Sequence, residues 1–85
     1  MQRVTLYTTP FCGYCAAAKR LLAAKGVPFT DIDVSSDPAR RSEMTKRSGG
    51  GRTVPQIFIG ETHVGGFDDM NALERAGRLD ALLAG

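Results

Sequence analysis

The sequence has no tryptophan, one histidine and only two cysteines, and it contains no long apolar run. Each shortage excludes something. Without some 20 consecutive apolar residues there is no candidate membrane span, and no charged-then-apolar N-terminus suggests a secretory signal. Two cysteines are too few for a disulfide-stapled secreted scaffold. A structural zinc site needs four ligands, and Cys12, Cys15 and His63 supply three. Net charge is also scarce, at +2, and 42% of the residues are hydrophobic, so disorder is not expected. At 85 residues the chain has room for one small globular domain, residues 1–85.

What charge there is lies unevenly. Residues 37–52 hold five basic and two acidic side chains, whereas 53–85 hold two basic and five acidic. The basic group, Arg40, Arg41, Lys46, Arg47 and Arg52, contains no aromatic residue, so no nucleic-acid surface is expected. A small anionic ligand suits its size better.

The cysteines stand three apart in Pro10-Phe11-Cys12-Gly13-Tyr14-Cys15. A bridge between them closes too short a loop to stabilise the fold by chain entropy, so its value would be chemical. A Cys-x-x-Cys pair beside a strand and a helix reads as a redox motif, with metal binding and chance spacing as the alternatives.

The surrounding pattern supplies that strand and helix. Val4-Thr5-Leu6-Tyr7 alternates as a strand, and Ala16 to Lys25 is a strong helix with Ala18, Leu21 and Leu22 inward and Gly26 as its stop. Phe29 to Val34 reads as a second strand with Ile32 and Val34 on one face. Asp37-Pro38 starts a helix that runs to about Arg47, anchored by Ala39 and Met44. Gln56 to Ile59 and Thr62 to Val64 form a hairpin around Gly60-Glu61. A helix begun by Asp68 or Asp69 turns Met70, Leu73 and Ala76 inward, and Leu79, Leu82 and Leu83 add a last helical turn. The triple glycine 49–51 lacks the lysine and hydroxyl of a phosphate loop. This order predicts a three-layer α/β/α domain on a four-stranded mixed sheet.

Three segments together resemble a glutaredoxin along essentially the whole chain: Cys12-Gly13-Tyr14-Cys15 after the first strand, Arg52-Thr53-Val54-Pro55 before the third, and Gly65-Gly66-Phe67-Asp68-Asp69 at the last helix. The resemblance implies a thioredoxin fold, a cis bond at Pro55, and glutathione as co-substrate. Cys12 at a helix N-terminus meets free N–H groups that favour a thiolate, while Cys15, inside the first turn, is shielded. Cys12 is therefore the expected nucleophile and Cys15 the resolving thiol.

The resemblance also assigns a groove. Tyr14 walls it, and the backbone of Thr53-Val54-Pro55 pairs with the cysteinyl part of glutathione as an added strand would. Gly66 lets the ligand come close, and the helix start at Asp68 and Asp69 takes the γ-glutamyl end, Asp69 being the favoured partner for its ammonium. Family members often carry a lysine three residues before the first cysteine. Here that residue is Thr9, so Arg47 and Arg52 are the cations expected to receive the glycine carboxylate. The implied reaction is glutathione-dependent reduction of glutathionylated and disulfide-containing proteins by a cytoplasmic monomer. Two alternatives accompany it. Gly13, where many relatives have proline, suggests a 2Fe-2S carrier bridged as a homodimer by Cys12 and glutathione. A thioredoxin-reductase-coupled donor would dispense with the glutathione groove.

Overall fold

In the computed structural model, which describes residues 1–85, the strands are β1 (Val4–Thr8), β2 (Thr30–Asp33), β3 (Gln56–Ile59) and β4 (Thr62–Gly65). The helices are α1 (Gly13–Ala24), α2 (Pro38–Arg47), α3 (Phe67–Arg75) and α4 (Leu79–Ala84). The sheet order is β2-β1-β3-β4. β1 and β2 run parallel through the α1 crossover, whereas β1 with β3 and β3 with β4 are antiparallel. This is the mixed sheet of the thioredoxin fold, as expected.

Strand alternation divides the core in two. Val4, Leu6, Ile57 and Ile59 face Ala18 and Leu22 of α1, Met70 of α3, and Leu79 and Leu83 of α4. Tyr7 and Phe58 project to the other side, where they meet Val34 and Met44, with Ile32 packed beside them. Three helices therefore cover one face and α2 covers the other.

α2 is attached mainly through polar groups. Asp37 caps it, its side chain accepting the Arg40 N–H. Met44 is its one buried residue, and Ala39 is exposed, contrary to the sequence expectation. Five residues of helix rotate Ala39 about 140° away from Met44, onto the solvent side. Beside Met44, the half-buried Glu43 and the exposed Arg47 reach across to the sheet instead. Tyr7 donates a 2.5 Å hydrogen bond to Glu43 and accepts one of 2.8 Å from Arg47, whose guanidinium lies 4.3 Å from the Phe58 ring centroid. An apolar-periodicity reading cannot detect such an anchor. Ala76 is likewise exposed, being about 120° from Met70 around α3.

Candidate functional site

The end of β1 delivers Cys12 to the head of α1, where it serves as the N-cap. The Cys15 N–H donates to the Cys12 sulfur at 3.2 Å, so the first turn is closed by the sulfur itself. The helix consequently starts at Gly13, three residues before the alanine run. The Cys12 thiol is partly exposed and points at the Val54 carbonyl, 3.7 Å away. Cys15 is 1% exposed. Burial foremost, with its hydrogen bond to Cys12, pushes the Cys15 thiol up to about 11. Both thiols are free. The asymmetry expected of an attacking and a resolving cysteine is therefore built into the geometry. At neutral pH iodoacetamide is expected to modify Cys12 while leaving Cys15 a protonated thiol, with Cys15 modified only as the pH approaches 11; peptide mass mapping reads this directly.

Beside Cys12 lies a cleft of about 380 Å³ lined by Tyr14, Thr53, Val54, Pro55, Gly66, Phe67, Asp68 and Asp69. Seven of these are the groove residues expected from the sequence, and the fold brings them together from three segments. The Val54-Pro55 peptide bond is cis. The Val54 N–H makes no hydrogen bond within the chain, which leaves an open backbone edge for an extended ligand. Behind that edge a polar relay braces the loop: His63 bonds the buried Gln56 at 2.7 Å, and Gln56 donates to the Thr53 carbonyl at 3.0 Å. His63 thus has a supporting place on the hairpin.

The far end of the cleft is the start of α3. The helix begins at Phe67 with Gly66 as N-cap, one or two residues before the expected Asp68 or Asp69 start. Neither aspartate is the cap: Gly66 has no side chain to offer, and Asp69 instead reaches back to accept the Gly66 N–H at 2.9 Å. The N–H groups of Phe67, Asp68 and Asp69 have no partner in the chain and open toward an anion. The conformationally demanding glycine is Gly65 (φ +115°), where a Cβ would also overlap the Asp69 carboxylate. At Gly66 an added Cβ would meet only ordinary contacts, with the Pro55 carbonyl at 3.8 Å and the Asp69 carboxylate at 3.9 Å.

Phe67 was missed by the sequence reading. It lines the cleft and stacks on Tyr14 with ring centroids 6.4 Å apart; the one available signal was an aromatic residue between glycines and a helix start. Arg47 and Arg52 are absent from the cleft lining. Arg47 is engaged with Tyr7 and Phe58. Arg52 lines a separate depression of about 450 Å³ with Pro38, Arg41, Ser42, Thr45 and Lys46. There the Arg41 Nη1 is buried without a hydrogen-bond partner. Arg52 of the depression is followed in the chain by Thr53 of the cleft.

Gly13 does not single out cluster bridging. It is exposed and a Cβ there would meet nothing within 4 Å, so bulkier residues fit equally well. No three His, Cys, Asp or Glu side chains gather within the chain, so the only sulfur it could offer a bridged cluster at this site is Cys12.

With this geometry in view, comparison with known proteins is direct. The glutaredoxin family model matches residues 4–64. A glutaredoxin of Pseudomonas aeruginosa is 56% identical over 84 residues, covering 99% of each chain. The solution structure of a glutaredoxin from Brucella melitensis superposes with a TM-score of 0.84 at 58% identity, covering 98% of this chain and 89% of the other. The crystal structure of a buckwheat glutaredoxin–glutathione complex gives a TM-score of 0.87 at 29% identity, covering 98% and 77%. The chain belongs to the glutaredoxin family.

Proposed function

We propose that this protein is a glutathione-dependent thiol–disulfide oxidoreductase that reduces protein–glutathione mixed disulfides and protein disulfides. The observation that carries this reading is the exposed N-cap sulfur of Cys12 set beside the open Val54 edge and the cleft that ends at the α3 N-terminus. A glutathione lying along that cleft presents its cysteinyl amide to Val54 and its γ-glutamyl carboxylate to the free N–H groups of α3. The ammonium falls to the aspartates. Asp68 has no hydrogen bond of its own, and Asp69 has one oxygen beyond that used by Gly66.

The ligand's other end carries the glycine carboxylate. Arg41, buried at one nitrogen and unpaired, together with Arg52 and Lys46, is the better receiver, because Arg47 is held by Tyr7. Replacing Arg41 with alanine is expected to raise KM for glutathione about tenfold with kcat unchanged, the worth of one charge-assisted hydrogen bond. Arg47→Ala is expected to leave KM near the wild-type value. Steady-state kinetics on both variants separates these outcomes.

In the reaction, the Cys12 thiolate attacks the glutathione-side sulfur and the protein thiol leaves. A second glutathione then attacks the Cys12–glutathione bond, returning Cys12 and forming oxidised glutathione. For a protein disulfide, Cys15 attacks the mixed disulfide at Cys12, releases the substrate and forms the Cys12–Cys15 bridge, which glutathione reopens. The cycling thiols suit a reducing compartment, the cytoplasm. No helix is long and apolar enough to cross a membrane.

Turnover of a glutathionylated peptide by glutathione and glutathione reductase tests the reading. Fast release supports it. Turnover by thioredoxin reductase alone, with none by glutathione, would replace it with the donor alternative.

A further inference from the structure

Cys15 has to carry negative charge at the moment it attacks Cys12, yet it is buried beneath it. One helical turn later on α1 stands Lys19, on the same face as Cys15 by the four-residue spacing. Its ammonium lies 2.5 Å from one oxygen of Asp31 on β2. The other Asp31 oxygen accepts a 2.5 Å hydrogen bond from Thr8, a buried hydroxyl at the end of β1. A long, flexible cation is thus fixed at both ends of its reach, by the helix and by the sheet. Asp33, further along β2, is occupied by the Ser35 N–H at 2.8 Å. The charged and ionisable groups around Cys15 are therefore Cys12, Lys19 and, behind Lys19, Asp31 and Asp33.

An ion pair of this exposure adds at most about 1 kcal/mol to stability, which leaves its place one helical turn from Cys15 unexplained. We propose that Lys19, held in place by Asp31 and Thr8, is a positioning residue for the resolving step, its ammonium stabilising the charge on the Cys15 sulfur as that sulfur attacks Cys12. The proposal rests on the dithiol chemistry above and names the residue that favours it over the monothiol route. Lys19 opposes, in sign, the burial that holds the Cys15 proton on.

Cys15 gives its proton to solvent, and its sulfur forms a bond to the Cys12 sulfur. The bond from Cys12 to the substrate sulfur breaks, and the departing thiolate takes up a proton. In this step the Cys15 sulfur is oxidised and the substrate sulfur reduced, and over the two exchange steps together the cysteine pair loses two electrons.

The test uses the full chain, reduced and mixed with oxidised glutathione. Acid quenching and intact mass then follow the Cys12–glutathione adduct as it forms and resolves. In Lys19→Gln the adduct should resolve about tenfold more slowly than in the wild type, the rate equivalent of losing one moderately screened charge. Lys19→Arg, which keeps the charge, should return the rate to within about twofold. Adduct formation by Cys12 should be equal in Cys15→Ser and in Cys15→Ser combined with Lys19→Gln. Resolution at the wild-type rate in Lys19→Gln, failure of Lys19→Arg to restore it, or equal slowing of formation and resolution would each overturn the proposal. A wild type that forms neither the adduct nor the Cys12–Cys15 disulfide would overturn the proposed function itself, and this inference with it.

Discussion

Cys12→Ser is expected to abolish glutathione-dependent turnover, by about a thousandfold or more, whereas Cys15→Ser should retain turnover of a glutathionylated peptide. A hydroxyl at Cys12 keeps the N-cap, since serine also accepts the N–H that Cys15 donates, and so the helix start survives. What is lost is the only sulfur that faces the cleft, and serine at neutral pH is no substitute nucleophile. Cys15 cannot take over, being buried with its thiol held protonated. In Cys15→Ser the exposed sulfur, the Val54 edge and the α3 N–H groups are untouched, so the monothiol cycle remains complete. Reduction of a protein disulfide should separate the variants further, because there Cys15 closes the reaction. Coupled glutathione reductase assays on both substrates check all four values. Substantial turnover in Cys12→Ser would sink the assignment of the nucleophile.

The second large effect is on stability. Leu22→Ala is expected to cost about 2–5 kcal/mol, through lost transfer energy and the cavity left behind. Leu22 is fully buried where α1 meets the β1–β3 face, within the cluster that also holds Val4, Leu6, Ile57, Met70 and Leu79. A domain of this length has only about 4–13 kcal/mol in total, so the variant should lose much of its margin and about 10–30 °C in melting temperature. Arg20→Ala, on the exposed side of the same helix, is the control and should move stability by no more than about 0.5 kcal/mol. Urea unfolding of the reduced proteins measures both. Because α1 also carries the two cysteines, a loss below about 1 kcal/mol in Leu22→Ala would mean that the helix is not held by this cluster.

Tyr14 (63% exposed) and Phe11 (100% exposed) flank Cys12 on its solvent side. On the proposed function, an aromatic rim of this kind would suit broad, weak contact with protein substrates.

Element order, the sheet's two apolar faces, the Cys-x-x-Cys redox pair and seven residues of the cleft were legible in the sequence. Each is written locally, in strand alternation, helix spacing, a glycine or proline stop, or a compact motif. The ends of the helices were less legible. Cys12 extends α1 backwards by capping it with sulfur, and Gly66 starts α3 without a side chain, leaving Asp69 to complete the bond. Apolar counting also misplaced Ala39 and Ala76, because a small residue carries no facing preference and α2 is tied to the sheet by the polar side chains of Glu43 and Arg47 as well as by Met44.

Tertiary structure alone decided the rest, since those features depend on distances between segments remote in the chain. It separated Arg41 and Arg52 from Arg47 by giving Arg47 a phenol and a ring to hold. It joined Thr8, Asp31 and Lys19 from two strands and a helix into one hydrogen-bonded line. It also set the Val54 carbonyl against the Cys12 sulfur and left the Val54 N–H free. Periodicity determines which face of an element is buried; only packing determines which charged side chains on the remaining faces meet one another and which are left for a ligand.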